Sequence, residues 1–264
     1  MRVAVNLAHC AEHYRGGDGI NRLHGAAHAE WLARAVTVYR GLMARELESW
    51  YQTDLFVAVT GWPGWPDVEV SPGNPERDWY WQALGRSRFV TMNHNPGHQQ
   101  GAAWCIRLGL EAAGKLGYDF LVHAAEDVLP FAGTLPRLAQ LLAEGYDYAG
   151  QSWNSEELSS QFFACRVPWL AGLFDPGQVG PGNHIERYLG RLHQGRAVCR
   201  LPEHSLYRHT HDWDEYRRWL AEGSLLGESP SRAAQAGRGT GLRPGMPGGC
   251  SGSLKPRRTA GSTR

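Results

Sequence analysis

The sequence of 264 residues predicts a single-domain α/β fold with a mainly parallel sheet and helices on both of its faces. Short β-branched and apolar runs alternate with longer stretches whose apolar residues recur at helical spacing. This alternation favours right-handed crossovers between parallel strands. Hydrophobic residues make up 42% and charged residues 20% of the chain, which is typical of a globular protein. One domain is the simplest interpretation, although the length also allows two small domains.

Four predicted strands are apolar runs that end in polar residues. They cover residues 2–7, 54–61, 88–95 and 118–124. The second is continuously apolar, as expected for a strand that is buried on both faces of a parallel sheet.

Three helices are predicted between and after these strands, over residues 26–51, 97–117 and 133–145. The first carries an apolar stripe at helical spacing, and Gly117 is a suitable C-cap for the second. The third has the start signals Thr134 and Pro136 and the stop signal Gly145.

Polar side chains follow each predicted strand. They are Asn6 and His9, Thr60 and Gly61, Asn93 and Asn95, and Glu126 and Asp127. Ligands of open parallel sheets bind beyond the carboxyl ends of the strands. The two adjacent carboxylates are therefore predicted to face a cleft at this edge of the sheet.

The stretch 93–130 resembles the nucleotide-diphosphosugar glycosyltransferases of the GT-A fold, particularly family-2-like enzymes. The resemblance consists of the Asn95-Pro96-Gly97 turn, a helix with small residues at Gly101 and Ala113, an aromatic and aliphatic strand, and the acidic pair Glu126-Asp127. It covers residues 93–130 well and residues 1–212 loosely.

The resemblance implies a GT-A-like fold and transfer of a sugar from a nucleoside-diphosphate sugar donor with the help of Mn²⁺ or Mg²⁺. It also implies the donor-binding residues, which are Asn6, His9, Thr60, Asn95, Glu126 and Asp127. A divalent ion would neutralise the charge that develops on the leaving diphosphate. The family's Asp-x-Asp motif is here Ala124-Ala125-Glu126-Asp127, so that alanine occupies the first aspartate position.

Two downstream stretches extend the resemblance. Residues 159–173 resemble the strand and short helix that shape the acceptor cleft, and Glu186 follows a Gly-Asn break where inverting members carry their catalytic acid. Glu186 is thus the candidate general base, and the alternative is a first-turn acid that interacts with the helix dipole.

The histidines at positions 209 and 211 precede a predicted helix that Asp212 or Asp214 can cap. Several members of the fold use a histidine near this place as a metal or diphosphate ligand. The resemblance therefore implies His209 and His211 as metal ligands beside Glu126 and Asp127; the alternative is that both are partly exposed polar residues.

Other functions stay open at this stage. A nucleotidyltransferase is one alternative, although no Gly-rich signature with Arg and Lys follows the first strand. A second alternative is a GT-A domain that has lost catalytic activity and only binds a partner, because alanine occupies the first aspartate position of the Asp-x-Asp motif. The acceptor can be a glycan, a small molecule or nucleic acid, and the oligomeric state is not predicted.

The basic tail over residues 223–264 motivates a further alternative, glycosylation of a hydroxylated pyrimidine base in DNA. The tail has seven basic residues and one acidic residue, a net charge of +6, and its Gly, Pro, Ser and Arg content predicts disorder. Tryptophans that can stack on a base follow the second strand, at Trp62, Trp65, Trp79 and Trp81. The folded domain is expected over residues 1–222.

The sequence predicts a cytoplasmic protein that does not associate with a membrane. No apolar run reaches membrane-spanning length. The first residues also lack the long apolar stretch of a signal peptide.

Overall fold

The computed structural model describes residues 1–10, 26–60, 88–92, 96, 98–202, 205–210 and 212–221. Several sequence predictions lie outside these residues. They concern Asn93, Asn95, His211, the four tryptophans of residues 61–87, and the tail over residues 223–264. The division of the chain at residue 222 therefore stays a prediction.

Nine strands and six α-helices are formed by the described residues. The strands are β1 (Arg2–Cys10), β2 (Gln52–Thr60), β3 (Arg88–Met92), β4 (Phe120–Ala125), β5 (Val128–Pro130), β6 (Tyr148–Ser152), β7 (Leu158–Arg166), β8 (Val198–Leu201) and β9 (Tyr207–His209). The helices are α1 (Ala26–Glu46), α2 (His98–Lys115), α3 (Thr134–Ala143), α4 (Val167–Leu173), α5 (Ile185–Leu192) and α6 (Trp213–Ala221).

The main sheet has seven strands in the order β3-β2-β1-β4-β7-β6-β8. β1 pairs in parallel with β2 and β4, β2 with β3, and β6 with β8. β7 pairs antiparallel with both of its neighbours, β4 and β6. Six strands thus run in one direction and one runs against them, which confirms the predicted mainly parallel α/β sheet. β5 and β9 form a separate two-stranded antiparallel sheet.

Helices cover both faces of the main sheet, as predicted. On one face, α1 and α3 pack through residues such as Val36 and Leu138 against alternate residues of the strands. On the other face, α2, α4 and α5 pack through residues such as Ile106, Leu170 and Leu189 against the intervening strand residues. The alternation of strand side chains between two buried faces explains why the central strands read as continuous apolar runs.

The structure corrects several predicted boundaries. β1 continues through Cys10, where the sequence predicted an end at residue 7, because its ladder with β2 extends to the pair Cys10 and Thr60. Helix α1 ends at Glu46, before the predicted residue 51. His9 therefore lies inside a strand and not after it.

The small β5–β9 sheet is fixed to the main body by buried hydrogen bonds. The Tyr39 hydroxyl on α1 donates to the Val128 carbonyl at 3.1 Å, and the Thr134 hydroxyl donates to the Leu206 carbonyl at 3.1 Å. Burial is the main cause that raises the pKa of Tyr39 well above its ordinary value, so this hydroxyl keeps its proton and remains a donor. Tyr216 of α6 packs against Leu129 of β5.

None of the helices in the described ranges is long and apolar enough to cross a bilayer.

Candidate functional site

The carboxyl ends of β1, β2 and β4 meet at one edge of the sheet. Cys10 is opposite Thr60, Ala8 is opposite Ala125, and the Glu126 amide donates to the Ala8 carbonyl at 3.2 Å. The structure thus brings His9, Thr60, Glu126 and Asp127 to the edge where ligands of such sheets bind.

The first acidic contact at this edge joins His9 and Glu126. Their Nδ1 and Oε1 atoms are 3.4 Å apart. The His9 side chain is fully buried, whereas 16% of the Glu126 side chain is exposed. Glu126 is therefore the member of this pair that a ligand can reach.

The second acidic contact joins Asp127 and His209. Asp127 immediately precedes β5, and Val128 is opposite His209 in the antiparallel β5–β9 pair. This pairing places Asp127 Oδ2 at 3.0 Å from His209 Nε2. Side-chain exposures of 17% for Asp127 and 25% for His209 leave both groups accessible. The structure therefore brings together two of the four residues that the sequence analysis assigned to a metal.

Glu186 reaches the same edge from the opposite side of β4. In the ladder between β4 and β7, Phe162 is opposite Ala124. Because β7 runs antiparallel, Ser160 lies beyond this pair, at the edge that carries Glu126. The Ser160 hydroxyl donates to Glu186 Oε1 at 2.5 Å. Glu186 is in the first turn of α5.

Helix α5 is held close to the loop between β6 and β7. A Cβ atom built on Gly190 would lie 1.7 Å from the Glu156 carbonyl oxygen, so only glycine allows this approach. Arg187 Nη2 lies 3.3 Å from Glu157 Oε1, and the Ile185 amide donates to Gln99 Oε1 of α2 at 3.0 Å. These contacts fix the position of the Glu186 carboxylate relative to the sheet.

A chain of polar contacts that the sequence analysis missed lies behind His209. The Tyr207 hydroxyl donates to Gln161 Oε1 at 3.1 Å, and Gln161 Nε2 lies 3.3 Å from His209 Nε2. Ser159 Oγ lies 3.4 Å from the Tyr207 hydroxyl. The available sequence signal was the polar run Ser159-Ser160-Gln161 at the start of an otherwise apolar strand.

Not every predicted site residue lies in the same environment. Asn6 is fully buried in the middle of β1, where its Nδ2 contacts the Cys105 carbonyl at 3.2 Å and His123 Nδ1 at 2.9 Å. Asn6 thus lies beneath α2 and away from the edge. Thr60 is buried at the end of β2, with Cys105 Sγ 4.0 Å from its hydroxyl. Asn95 and His211 lie outside the described residues.

Within the described part of the chain, no group of three or more His, Cys, Asp or Glu side chains is arranged to hold a metal ion. Asp127 and His209 nevertheless supply two adjacent donors. Their 3.0 Å separation is close to the roughly 3 Å expected for two ligands at right angles, each about 2.1 Å from a Mg²⁺-like ion. Such ions accept few protein ligands when diphosphate oxygens and water complete the shell. The pair thus offers one carboxylate oxygen and one imidazole nitrogen, of which the carboxylate is the type of ligand that Mg²⁺ and Mn²⁺ prefer.

Comparisons with known proteins give structural neighbours at low similarity. No protein-family model matches the sequence, and no curated protein matches it. Solved structures with related folds include both sugar transferases and cytidylyltransferases. Residues 1–349 of TarS from S. aureus, in complex with UDP, share 13% identity at a TM-score of 0.47, over 86% of this chain and 68% of that chain.

Two further solved structures have similarly low sequence identities and TM-scores. The mannosyltransferase PcManGT from Pyrobaculum calidifontis, in complex with GDP-Man and Mn²⁺, is 14% identical at a TM-score of 0.47, over 87% of this chain and 66% of that one. A cytidylyltransferase from Leptospira borgpetersenii is 12% identical at a TM-score of 0.46, over 86% and 97% of the two chains. At these values the likeness carries no information about what this chain binds.

Proposed function

We propose that the protein is a glycosyltransferase that moves a sugar from a nucleoside-diphosphate sugar to an acceptor hydroxyl with the help of a divalent cation. The observation that carries the proposal is the arrangement of three carboxylates at one sheet edge. Asp127 faces a histidine, Glu126 is partly exposed beside it, and Glu186 is held by Ser160 across β4. The sequence resemblance over residues 93–130 supports the same reaction.

Asp127 and His209 would hold Mn²⁺ or Mg²⁺, and Glu126 would face the diphosphate side of the donor. The bound ion would neutralise charge on the leaving nucleoside diphosphate. His9 and Thr60, which are buried near the ends of β1 and β2, would support this edge from beneath and would not contact the donor directly. Asn6, being buried, would act through the packing of β1 against α2.

Glu186 would act as the general base. A base must reach the hydroxyl that attacks the anomeric carbon, and a carboxylate on a fixed helix start is suited to this. The Ser160 hydroxyl occupies one lone pair of Glu186 Oε1, so it orients the carboxylate while the other oxygen stays available to the acceptor. A base on the face opposite the leaving group leads to inversion of configuration.

Binding of nucleoside diphosphates tests the donor half of this proposal. We expect UDP, GDP or CDP to bind with Mn²⁺ in isothermal titration calorimetry and to bind at least about 10-fold more weakly without the metal. Asp127→Asn should remove the metal dependence, because it removes a charged ligand while retaining the shape of the side chain. Glu144→Gln is the matched control, since Glu144 is an exposed residue at the end of α3. If no diphosphate binds under any condition, the proposal fails.

A product screen distinguishes glycosyl transfer from the nucleotidyl transfer that the same fold class allows. A panel of nucleotide sugars should release nucleoside diphosphate, faster in the presence of a suitable acceptor. Incubation with a nucleoside triphosphate and a sugar 1-phosphate should release no pyrophosphate. Pyrophosphate release would instead identify a nucleotidyltransferase, and binding without either product would identify a degenerate binding domain.

The same screen addresses the acceptor. Glycans, small molecules and DNA containing hydroxylated pyrimidines are all offered as acceptors. Transfer to DNA should weaken steeply with salt if the basic tail participates. The cytoplasmic location stays a prediction of the sequence.

A further inference from the structure

A tryptophan is exposed in the short loop between β6 and β7. Trp153 follows directly after β6, and 48% of it is exposed to solvent. Ser152 is opposite Leu158 in the β6–β7 ladder, and β6 runs in the same direction as β4, so the loop lies at the edge that carries Glu126. Single exposed apolar residues are common on protein surfaces, so the position and the rigidity of this ring decide whether it has a function.

Two contacts place the loop beside the proposed general base. Ser160, near the start of β7, donates to Glu186 Oε1 at 2.5 Å. Gly190 of α5 approaches the Glu156 carbonyl so closely that a Cβ atom would lie 1.7 Å from its oxygen. Glu186 and Gly190 are four residues apart and therefore lie on the same face of α5. The helix face that carries the base thus also contacts the loop that carries Trp153.

Hydrogen bonds within the loop and from β8 hold its backbone in place. Asn154 Oδ1 accepts from the Glu156 and Glu157 amides at 2.8 and 2.9 Å. Arg200 of β8 donates to the Asn154 and Ser155 carbonyls at 3.0 and 2.8 Å. A ring on a fixed backbone loses little conformational entropy when a ligand stacks on it. The loop is therefore preorganised to present its tryptophan to a ligand.

The chemistry around Trp153 favours a sugar over a nucleic acid. The loop and the residues that hold it carry three carboxylates and two guanidinium groups, which are Glu156, Glu157, Glu186, Arg187 and Arg200. An excess of negative charge repels a phosphate backbone, whose binding depends on Lys and Arg. A neutral sugar suits the same surroundings, because its C–H face stacks on an indole ring and its hydroxyls hydrogen-bond to carboxylates and amides.

We propose that Trp153 is the stacking surface of an acceptor subsite, and that the acceptor is a neutral carbohydrate of which one hydroxyl reaches Glu186. This inference rests on the proposed function, from which the base and the sugar donor are taken. The acceptor oxygen forms the bond to the anomeric carbon, the nucleoside diphosphate leaves with the electron pair of the broken bond, and Glu186 takes the hydroxyl proton. Trp153 binds the acceptor and takes no part in these bond changes.

Fluorine-19 NMR of protein labelled with 5-fluorotryptophan tests binding at this ring without a donor. The variants Trp153→Phe and Trp50→Phe assign the two signals among the eleven tryptophans. The probes are maltotetraose, cellotetraose, mannotetraose and N-acetylchitotetraose. We expect at least one of them to shift the Trp153 signal and to leave the Trp50 signal unchanged. Trp50 is the matched control, because it is 79% exposed and precedes β2, at the opposite end of the sheet.

Alanine variants measure how much the ring contributes. Trp153→Ala should weaken binding of the responding oligosaccharide by about 10-fold, whereas Trp153→Phe retains an aromatic face and should lose less. In the transfer reaction, Trp153→Ala should raise the KM of the acceptor by a similar factor and change kcat little. Trp50→Ala should alter neither value. Thermal unfolding of both alanine variants checks that the fold is intact.

The inference is overturned if no oligosaccharide shifts the Trp153 signal, or if Trp153→Ala binds the sugar as tightly as Trp50→Ala does. Single-stranded DNA that carries 5-hydroxymethylcytosine is a separate probe, and a shift caused by this DNA alone would also overturn the inference and assign the ring to a nucleic acid. Failure of the proposed function is a distinct result. If an oligosaccharide binds at Trp153 but no nucleotide sugar is consumed, the carbohydrate site stands and the glycosyltransferase proposal falls.

Discussion

Carboxylate side chains have different kinds of partner at the two ends of the main sheet. At the amino ends of the strands, the Asp119 carboxylate accepts from the Arg2 amide at 2.8 Å, and Asp54 lies 3.1 Å from Arg88 and accepts from the Tyr118 hydroxyl. Arg2 also stacks over the Tyr118 ring at 4.2 Å. The side-chain partners shown there for Asp54 are an arginine and a tyrosine, which keep their protons at neutral pH.

At the carboxyl ends, the contacts shown for the carboxylates are with His9, His209 and Ser160. A serine hydroxyl can rotate to a new partner. The amino-end contacts thus join a carboxylate to an arginine and a tyrosine, whereas the carboxyl-end contacts lie at the edge where the proposed donor would bind.

The largest effect should come from Glu186→Gln, which removes the candidate base and keeps its shape. We expect kcat to fall by about 1000-fold with little change in the KM of the donor. Ser160→Ala should cost about 10-fold, because it only loosens the carboxylate. Steady-state release of nucleoside diphosphate measures both. Equal loss in the exposed control Glu144→Gln, or full activity of Glu186→Gln, would contradict this role.

The next largest effect is a loss of folding stability at acidic pH. It is caused by two histidines that are buried in the interior, away from both ends of the sheet. Burial lowers the pKa of His123 from 6.5 to about 3 and that of His193 to about 4. The unfolded chain therefore binds protons that the folded chain rejects, so stability is complete above pH 6.5 and falls as the pH drops towards 4.

The expected loss over this range is on the order of several kcal/mol, measured as the change in urea midpoint with pH. His193→Phe should reduce the pH dependence in part, because it removes one titrating group from contact with the rings of Tyr148 and Trp169, while His123 remains. An unchanged pH dependence in this variant would contradict the assignment.

A smaller effect is expected from the glycine that brings α5 to the β6–β7 loop. Gly190→Ala should lower the free energy of unfolding by about 1–3 kcal/mol, because the added methyl group overlaps the Glu156 carbonyl. Gly172→Ala in α4 is the matched control, since a Cβ atom there meets nothing within 4 Å and alanine favours the helix. Similar free energies of unfolding for the two variants would show that the β6–β7 loop moves away from the added methyl group without a loss of stability.

The smallest effect should follow from Asp54→Asn at the amino ends. The pair with Arg88 is partly exposed, so its loss should cost less than about 1 kcal/mol in chemical denaturation. Activity should not change. A clear loss of activity would contradict the prediction that residues at the amino ends of the strands do not take part in the reaction.

Much of the fold could be predicted because the pattern of apolar residues is local. The central strands and the helices α2 and α3 were located within a few residues, and Asp212 caps α6 as expected, since its Oδ1 accepts from the Asp214 and Glu215 amides. Strands β5, β6 and β8 were missed. They have three, five and four residues and do not stand out as apolar runs bounded by turn signals.

The site was predicted in part, and the missing part has a physical cause. Strand ends identify Glu126 and Asp127 because parallel strands share an edge. The contact of Asp127 with His209 spans 82 residues and depends on the antiparallel β5–β9 pair, which leaves no local trace. Gln161 and Ser160 were missed for the same reason, since only the reversed direction of β7 brings them to this edge.

The β5–β9 pair also sets the order in which the protein can be completed during synthesis. All seven strands of the main sheet have been made once Leu201 is added, but Asp127 acquires its histidine only when β9 reaches β5. Two short strands do not hold together alone, so this step also needs α6, whose Tyr216 packs on Leu129. The proposed ligand pair of Asp127 and His209 can therefore form only after the residues of the β5–β9 pair and of α6 have all been made.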